Sequence, residues 1–261
     1  MLALPARYQR PVTVAAVCAV LSAALGSVLL AVSTVPPKDL AVYRAAGWSL
    51  LHGTGLYGPD FPAELPLTYP PFAAWPFVLL VPLPWAVTVW LWTFATLILL
   101  AWVIIRAFGG VLAQEPARRA ALVGVLLVAF GVTTPVVDHV GFGQVNVALM
   151  ALCLADLLGV RPRWLPAGVL IGLATAVKLT PAIFVVYLVI TRRGRAALVA
   201  AVTAAVATLA AFAVSPADSR TFFFDLLWHL DSRVGLGNNA GIGNQSLQGA
   251  VLRLGLPEQW V

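Results

Sequence analysis

Residues 85–105 read WAVTVWLWTFATLILLAWVII, and Arg106 follows them directly. A helix of about 20 uninterrupted apolar residues covers the ~30 Å hydrocarbon core of a bilayer. Outward from this stretch the pattern recurs: no charged residue falls between Glu64 and Arg106, Arg10 and Lys38, Arg119 and Asp138, or Arg195 and Asp218. Only 10% of the 261 residues are charged and 61% are apolar, whereas a soluble domain carries about 25% charge. The chain therefore reads as an all-α, polytopic transmembrane helical bundle forming a single integral membrane domain over 1–261. A water-soluble enzyme, a nucleic-acid-binding module and an outer-membrane barrel are excluded, the last because alternating strands do not give long apolar runs. Cys18 and Cys153 both sit within apolar runs and do not report the redox compartment.

The basic residues set the topology. Arg7 and Arg10 precede the apolar run Val12 to Ser33, which is too long for a signal-peptide core and reads as a signal anchor with a cytoplasmic N-terminus. Further crossings are expected at Trp85 to Ile105, Ala121 to Val137, Phe142 to Gly159, Leu165 to Val177, Pro181 to Thr191 and Ala196 to Val214. Pro71, Pro76, Pro82 and Pro84 interrupt a run too short to span, so residues 71–84 read as re-entrant. With that assignment Arg7, Arg10, Arg106, Arg118, Arg119, Arg161, Arg163, Arg192, Arg193 and Arg195 lie inside and five basic residues lie outside, the expected polarity. Treating 165–191 as two short helices broken around Lys178 keeps Arg192, Arg193 and Arg195 inside. The excess of sixteen Lys/Arg over ten Asp/Glu then reports orientation in a cell membrane and not a nucleic-acid partner. Two outward segments remain, 34–70 and 215–261. Leu40, Tyr43, Leu50 and Leu51 fall at helical spacing, which puts Asp39 at the N-cap of a short interfacial helix. Phe222 to Leu230 reads as a second amphipathic helix, followed by the glycine- and asparagine-rich loop Gly235 to Gly243.

Several residues could carry chemistry. Asp39 is either a helix cap or a general base at the membrane surface. Asp138 and His139, at the outer end of a crossing, either face the same cavity or end a helix in water. Gln144 and Asn146 open the next apolar helix with amides that need partners, as interhelical glue or as substrate contacts. Lys178 stands at a helix break, where an ammonium at membrane depth needs water or an anion, or must snorkel to the interface. Arg233 and Arg253 flank the C-terminal loop and suit bidentate phosphate binding. No phosphate-binding glycine loop, zinc-ligand spacing or nucleophile elbow occurs.

These pieces carry a resemblance. Asp39-Leu40-Ala41-Val42-Tyr43-Arg44, Leu50-Leu51-His52-Gly53, Leu56-Tyr57 and Tyr69-Pro70-Pro71-Phe72 resemble the first outer loop of the actinobacterial polyprenyl-phosphate-mannose-dependent α-mannosyltransferases, multi-pass enzymes of the GT-C class and glycosyltransferase family 87. The resemblance continues through Gly143-Gln144-Val145-Asn146, the stretch Gly172 to Pro181, Arg192-Arg193, and Asn244-Gln245-Ser246-Leu247 with Arg253. By that resemblance Asp39 matches the family's catalytic base. Lys178, Arg233, Arg253, Asp138, His139, Gln144, Asn146 and Asn244 are candidate substrate-binding residues. The chain stops at Val261, short of the further crossings usual in the family, which reads as a fragment or a reduced relative.

The resemblance implies a polyprenyl-phosphate hexose donor, with mannose as the sugar, and an envelope glycolipid or glycan acceptor. A carboxylate would take the acceptor hydroxyl proton as the C1–phosphate bond breaks, in a single inverting displacement, while cations stabilise the departing phosphate. Such a reaction requires no metal and no cofactor. Two other classes stay open: a carrier or flippase for isoprenoid-linked sugars, which would also contain broken helices and an intramembrane lysine, and an inactive fragment or scaffold.

Overall fold

The computed structural model describes residues 37–109, 116–229 and 247–255, which are helical without any strand. The first expected crossing, the loop Gly235 to Gly243, Arg233 and Asn244 lie outside the described residues. The elements are α1 (Lys38–His52), α2 (Trp85–Ala107), α3 (Pro116–Gly131), α4 (Thr134–Phe142), α5 (Asn146–Leu157), α6 (Val169–Val177), α7 (Ile183–Ile190), α8 (Gly194–Val214), α9 (Pro216–Phe224) and α10 (Leu247–Arg253). The helices α2 and α8 are each long and apolar enough to cross a membrane, and α3 with α4 form a bent pair that passes the same test at a 76° break. The chain is an all-α membrane protein.

Three boundaries differ from the sequence expectation. The crossing placed at Ala121 to Val137 does not stop there: after a short break at residues 132–133 the helix resumes at Thr134, where Pro135 is tolerated in the first turn, and runs to Phe142. The next helix accordingly starts at Asn146 and not at Phe142. Near the C-terminus, the helix expected at Phe222 to Leu230 lies earlier, at Pro216–Phe224, and is followed by a single 3-10 turn at Leu226–Trp228. In each case a proline at the first helical turn sets the start or the hydrophobic run continues past it, and apolar content alone could not reveal that.

The broken region 165–191 forms a tight hairpin. α6 ends at Lys178, whose backbone is extended, and Pro181 lacks the N–H that would continue the helix onto Val177. α7 then returns, packed against α8, so that Arg193 Nη1 donates to Leu157 O at 3.3 Å, back at the level where the hairpin began. α8 runs parallel to α6 and presses against it. A Cβ added at Gly172 would lie 2.5 Å from Ala200 O and 2.6 Å from Thr203 Cβ, so only a glycine admits this approach.

The proline-rich run 71–84 is a chain of short helical turns at Pro71–Ala73, Ala74–Phe77 and Val78–Leu80. Of its last carbonyls Leu80 O accepts Leu83 N–H at 3.2 Å, and Arg44 of α1 supplies further donors. Arg44 Nε donates to Leu80 O at 3.3 Å, and Nη2 donates to Val81 O and Leu83 O at 3.0 Å each. An unmatched carbonyl in an apolar setting is costly, so this arginine fixes α1 across the turn. Two apolar clusters complete the frame. Leu40, Tyr43, Phe77, Val89, Leu149 and Ile171 join α1 to α2, α5 and α6. Val42, Leu56, Tyr57, Leu67 and Phe222 join the segment after α1 to α9, and Leu56 N–H donates to Asp218 Oδ1 at 2.8 Å beside them.

Candidate active site

Gly143 decides where the site forms. α4 closes in a Schellman turn, with Gln144 N–H bonded to His139 O at 3.0 Å and Gly143 N–H to Val140 O at 3.1 Å. Gly143 takes φ +69°, and a Cβ there would meet Leu40 Cβ at 2.8 Å and Pro37 Cβ at 3.0 Å. The start of α1 therefore seats directly on the α4–α5 turn. That contact sets Asp39 beside Gln144.

From Gln144 a line of side chains leads to Lys178. Asn146 Nδ2 donates to Gln144 Oε1 at 2.9 Å, and Lys178 Nζ donates to Asn146 Oδ1 at 2.9 Å. Lys178 Nζ also donates to the Tyr69 hydroxyl at 3.1 Å and stands 4.8 Å from the centroid of its ring. Tyr69 and Tyr43 hydroxyls lie 3.2 Å apart, and the Tyr43 ring stacks on Phe77 at 4.7 Å between centroids. Four separate stretches of sequence thus converge: the start of α1, the Tyr69-Pro70-Pro71 corner, the α4–α5 turn and the tip of the α6–α7 hairpin.

The structure corrects the capping reading of Asp39. The N-cap of α1 is Pro37, and no side chain caps the helix. Asp39 sits in the first turn, half-buried, facing the polar cluster. Burial raises its carboxyl above the ordinary 3.8, opposed by a hydrogen bond from Gln144 and by the nearby Lys178 charge. Tyr43 is pushed well above the ordinary tyrosine range by burial, by Tyr69 and by Asp39, so it stays a neutral hydrogen-bonding group. The arrangement holds one carboxylate and one ammonium in one polar cluster, linked by two amides without a direct ion pair. A carboxylate so placed can accept a proton, and the ammonium can hold an anion.

Of the other candidates, His139 is buried next to the cluster, on the turn that Gln144 closes. Its neighbour Asp138 is exposed, which fits the water-facing one of the two alternatives for that helix end. Arg253 lies exposed in the last turn of α10. Sequence reading quoted Tyr69 and Arg44 within the family-like strings but gave neither a role of its own. The signal for Tyr69 was a tyrosine directly before two prolines in a stretch without charges, and for Arg44 a lone cation one helical turn beyond Leu40. Among the described residues no group of three or more His, Cys, Asp or Glu side chains gathers as a metal site would require.

The profile of glycosyltransferase family 87 matches residues 67–261, which include Tyr69, Gln144, Asn146 and Lys178. The chain is 36% identical over 239 residues to a polyprenol-phosphate-mannose-dependent alpha-(1-2)-phosphatidylinositol mannoside mannosyltransferase of Mycolicibacterium smegmatis, covering 84% of this chain and 53% of the relative. It is 36% identical over 261 residues to a polyprenol-phosphate-mannose-dependent alpha-(1-2)-phosphatidylinositol pentamannoside mannosyltransferase of Mycobacterium tuberculosis, covering 96% of this chain and 58% of the relative. The chain spans about half the length of the curated relatives it matches. No solved structure matches it. With three quarters of its length inside the family profile and two relatives above one third identity, the chain belongs to glycosyltransferase family 87.

Proposed function

We propose that the chain transfers mannose from a polyprenyl-phosphate donor to a glycolipid acceptor of the phosphatidylinositol-mannoside kind, with Asp39 as general base and Lys178 at the donor phosphate. The observation that carries this reading is the convergence of Asp39, Gln144, Asn146, Lys178 and Tyr69 at one end of the helix bundle, where a lipid-linked sugar could bring its head while its tail stays among the helices. The names of the mycobacterial relatives supply the donor and the acceptor class.

The chemistry follows from the side chains. An acceptor hydroxyl attacking C1 must lose its proton, and the half-buried Asp39 carboxylate is the group to take it. Negative charge grows on the departing phosphate as the sugar takes on oxocarbenium character, and the Lys178 ammonium meets that charge more strongly than it meets the intact donor. Gln144 and Asn146 hold the two groups apart, so that neither neutralises the other before the substrate arrives. A single displacement inverts the anomeric centre, so a β-linked donor yields an α-linked product. By the asymmetry of basic residues this end of the bundle faces outward from the cell membrane, with the N-terminus cytoplasmic and residues 71–84 re-entrant.

The test is Asp39→Asn. The variant keeps the shape of the side chain and removes the basic oxygen. Membranes bearing it should bind polyprenyl-phosphate-mannose as before and lose transfer to a mannosylated lipid acceptor by roughly 10²- to 10⁴-fold, the usual worth of a positioned base. Near-normal turnover would remove Asp39 from the mechanism. Movement of donor across vesicles without consumption of acceptor would favour the carrier reading instead.

A further inference from the structure

The opposite end of the α5–α6 pair holds a second polar site. Asn146 and Lys178 meet at one end; Asp156 and Gly168 meet at the other, about 15 Å away at ten residues along the helix. Asp156 is buried, and its carboxylate receives Gly168 N–H at 2.9 Å on both oxygens and Ile171 N–H at 3.1 Å on Oδ2. It thereby caps α6 from a neighbouring helix. Its charge is further met by Arg161 Nη1 at 3.8 Å.

Around this matched carboxylate the balance is strongly positive. The connections before α6 and after α7 contain Arg161, Arg163, Arg192 and Arg193, Arg195 follows in the first turn of α8, and Asp156 is the only acid between Asp138 and Asp218. Arg161 is braced by its bonds to Leu165 O at 3.1 Å and Asp156 O at 3.3 Å, and Arg193 by its bond to Leu157 O. Arg161 and Arg193 both line a cavity of about 280 Å³, together with Gly168, Ile171, Leu188, Ala196 and the already matched Asp156. Next to it Trp164 is 79% exposed, and the outward faces of α7 and α8 expose Ile190 and Leu198. Exposed apolar helix faces that give way to an exposed tryptophan and then to arginines mark the depth at which lipid headgroups sit.

We propose that this cavity binds the phosphate of an anionic phospholipid, with Arg161 and Arg193 as its two ligands. Two braced guanidinium forks are suited to a tetrahedral phosphate, which they can engage through paired N–H donors. A basic pocket between membrane helices is a recurring setting for such headgroups. The acyl chains would lie on the exposed faces of α7 and α8, contacts that a free phosphate cannot make. A headgroup bridging Arg161 and Arg193 would tie together the two roots of the hairpin that carries Lys178 at its tip. This site stands whether or not the chain transfers a sugar.

The experiment uses the full chain, delipidated in dodecyl maltoside, with native mass spectrometry against dioleoyl-phosphatidylglycerol and dioleoyl-phosphatidylcholine. Wild type should prefer phosphatidylglycerol by about tenfold or more. The pair Arg161→Gln/Arg193→Gln should lose that preference, while the charge-matched control Arg106→Gln/Arg220→Gln keeps it. Arg161→Lys/Arg193→Lys keeps the charge and loses the forks, so it serves if the glutamine pair does not fold; it should bind phosphatidylglycerol several-fold more weakly. No preference in wild type, equal loss in the control pair, or wild-type binding by the lysine pair would each overturn the proposal. Displacement of the lipid by inorganic phosphate at equal concentration would assign the cavity to free anions and overturn it as well.

Discussion

The Lys178 ammonium stands 4.8 Å from the centroid of the Tyr69 ring and 3.1 Å from its hydroxyl oxygen, so two residues 109 positions apart hold one charge between them. An aromatic face and a hydroxyl can steady a cation without neutralising it, which leaves the charge available to an anion. Lys178→Met should therefore raise the KM for polyprenyl-phosphate-mannose about tenfold or more and lower kcat, while membrane insertion is unchanged. Tyr69→Phe keeps the ring and removes one hydrogen bond to a charged group, worth about 1.5–3 kcal/mol. Its loss in kcat/KM should be the smaller of the two. Donor affinity untouched by Lys178→Met would return this lysine to a snorkelling role.

Gly143 is the hinge pin of the site. Its φ of +69° costs an L side chain roughly 1–2 kcal/mol, and a Cβ would strike Leu40 and Pro37. Gly143→Ala should push the start of α1 away from Gln144, and with it Asp39. The expected result is a fall in transfer of at least tenfold, together with a lower melting temperature in detergent. A variant with normal activity and normal melting would show that α1 does not depend on this seat.

The fold class was legible because charges are so few that their spacing alone marks the apolar helices, and the break around Lys178 was legible because an unbroken helix would carry Arg192, Arg193 and Arg195 to the wrong side. The helix boundaries around Gly131 to Asn146 were not. The sequence carries no charge through the 76° bend, and hydrophobicity does not register which backbone groups are bonded to which. In the site, Asp39, Gln144, Asn146 and Lys178 could be named singly, since each is a polar group in or beside an apolar run. That they form one connected line depends on Gly143 and Tyr69, whose parts are geometric and leave no chemical signature. For Asp138 and His139 the sequence left a shared cavity and a helix end in water both open; successive residues of a helix point about 100° apart, and here His139 is buried while Asp138 is exposed.

Gly172 tests the packing that holds Lys178 in place. Because a Cβ there would lie 2.5 Å from a backbone oxygen, no side-chain rotation can relieve the clash, and α6 must move away from α8. Overpacking of this kind costs typically 1–3 kcal/mol. Gly172→Val should lower thermal stability in detergent by that order and weaken donor binding in step, since the displaced helix ends at Lys178. Gly124→Val is the control, because nothing lies within 4 Å of a Cβ at that position. Equal behaviour of the two variants would mean that the α6–α8 contact is not a constraint on the site.

The carboxyl of Asp39 links the site to pH. Burial raises it above 3.8, while the Gln144 hydrogen bond and the Lys178 charge pull it back down. A general base works ionised, so kcat/KM should rise with pH through a midpoint above 3.8. Removing either counterweight favours the protonated form, so Gln144→Leu and Lys178→Met should each move that midpoint to higher pH in the activity that remains. Stability runs the other way. A carboxyl whose folded value is raised favours the folded state at pH below 3.8, and this contribution is lost as pH rises through the folded value. At pH 7 the charge on Asp39 is therefore a cost to the fold, and Asp39→Asn should melt no lower than wild type while losing transfer. If Asp39 served the fold instead, the same variant would melt lower. A pH profile of kcat/KM in reconstituted vesicles, with melting curves at pH 7, separates the two. An acid limb at or below 3.8, or one that stays fixed in both Gln144→Leu and Lys178→Met, would show that the titrating group is not Asp39.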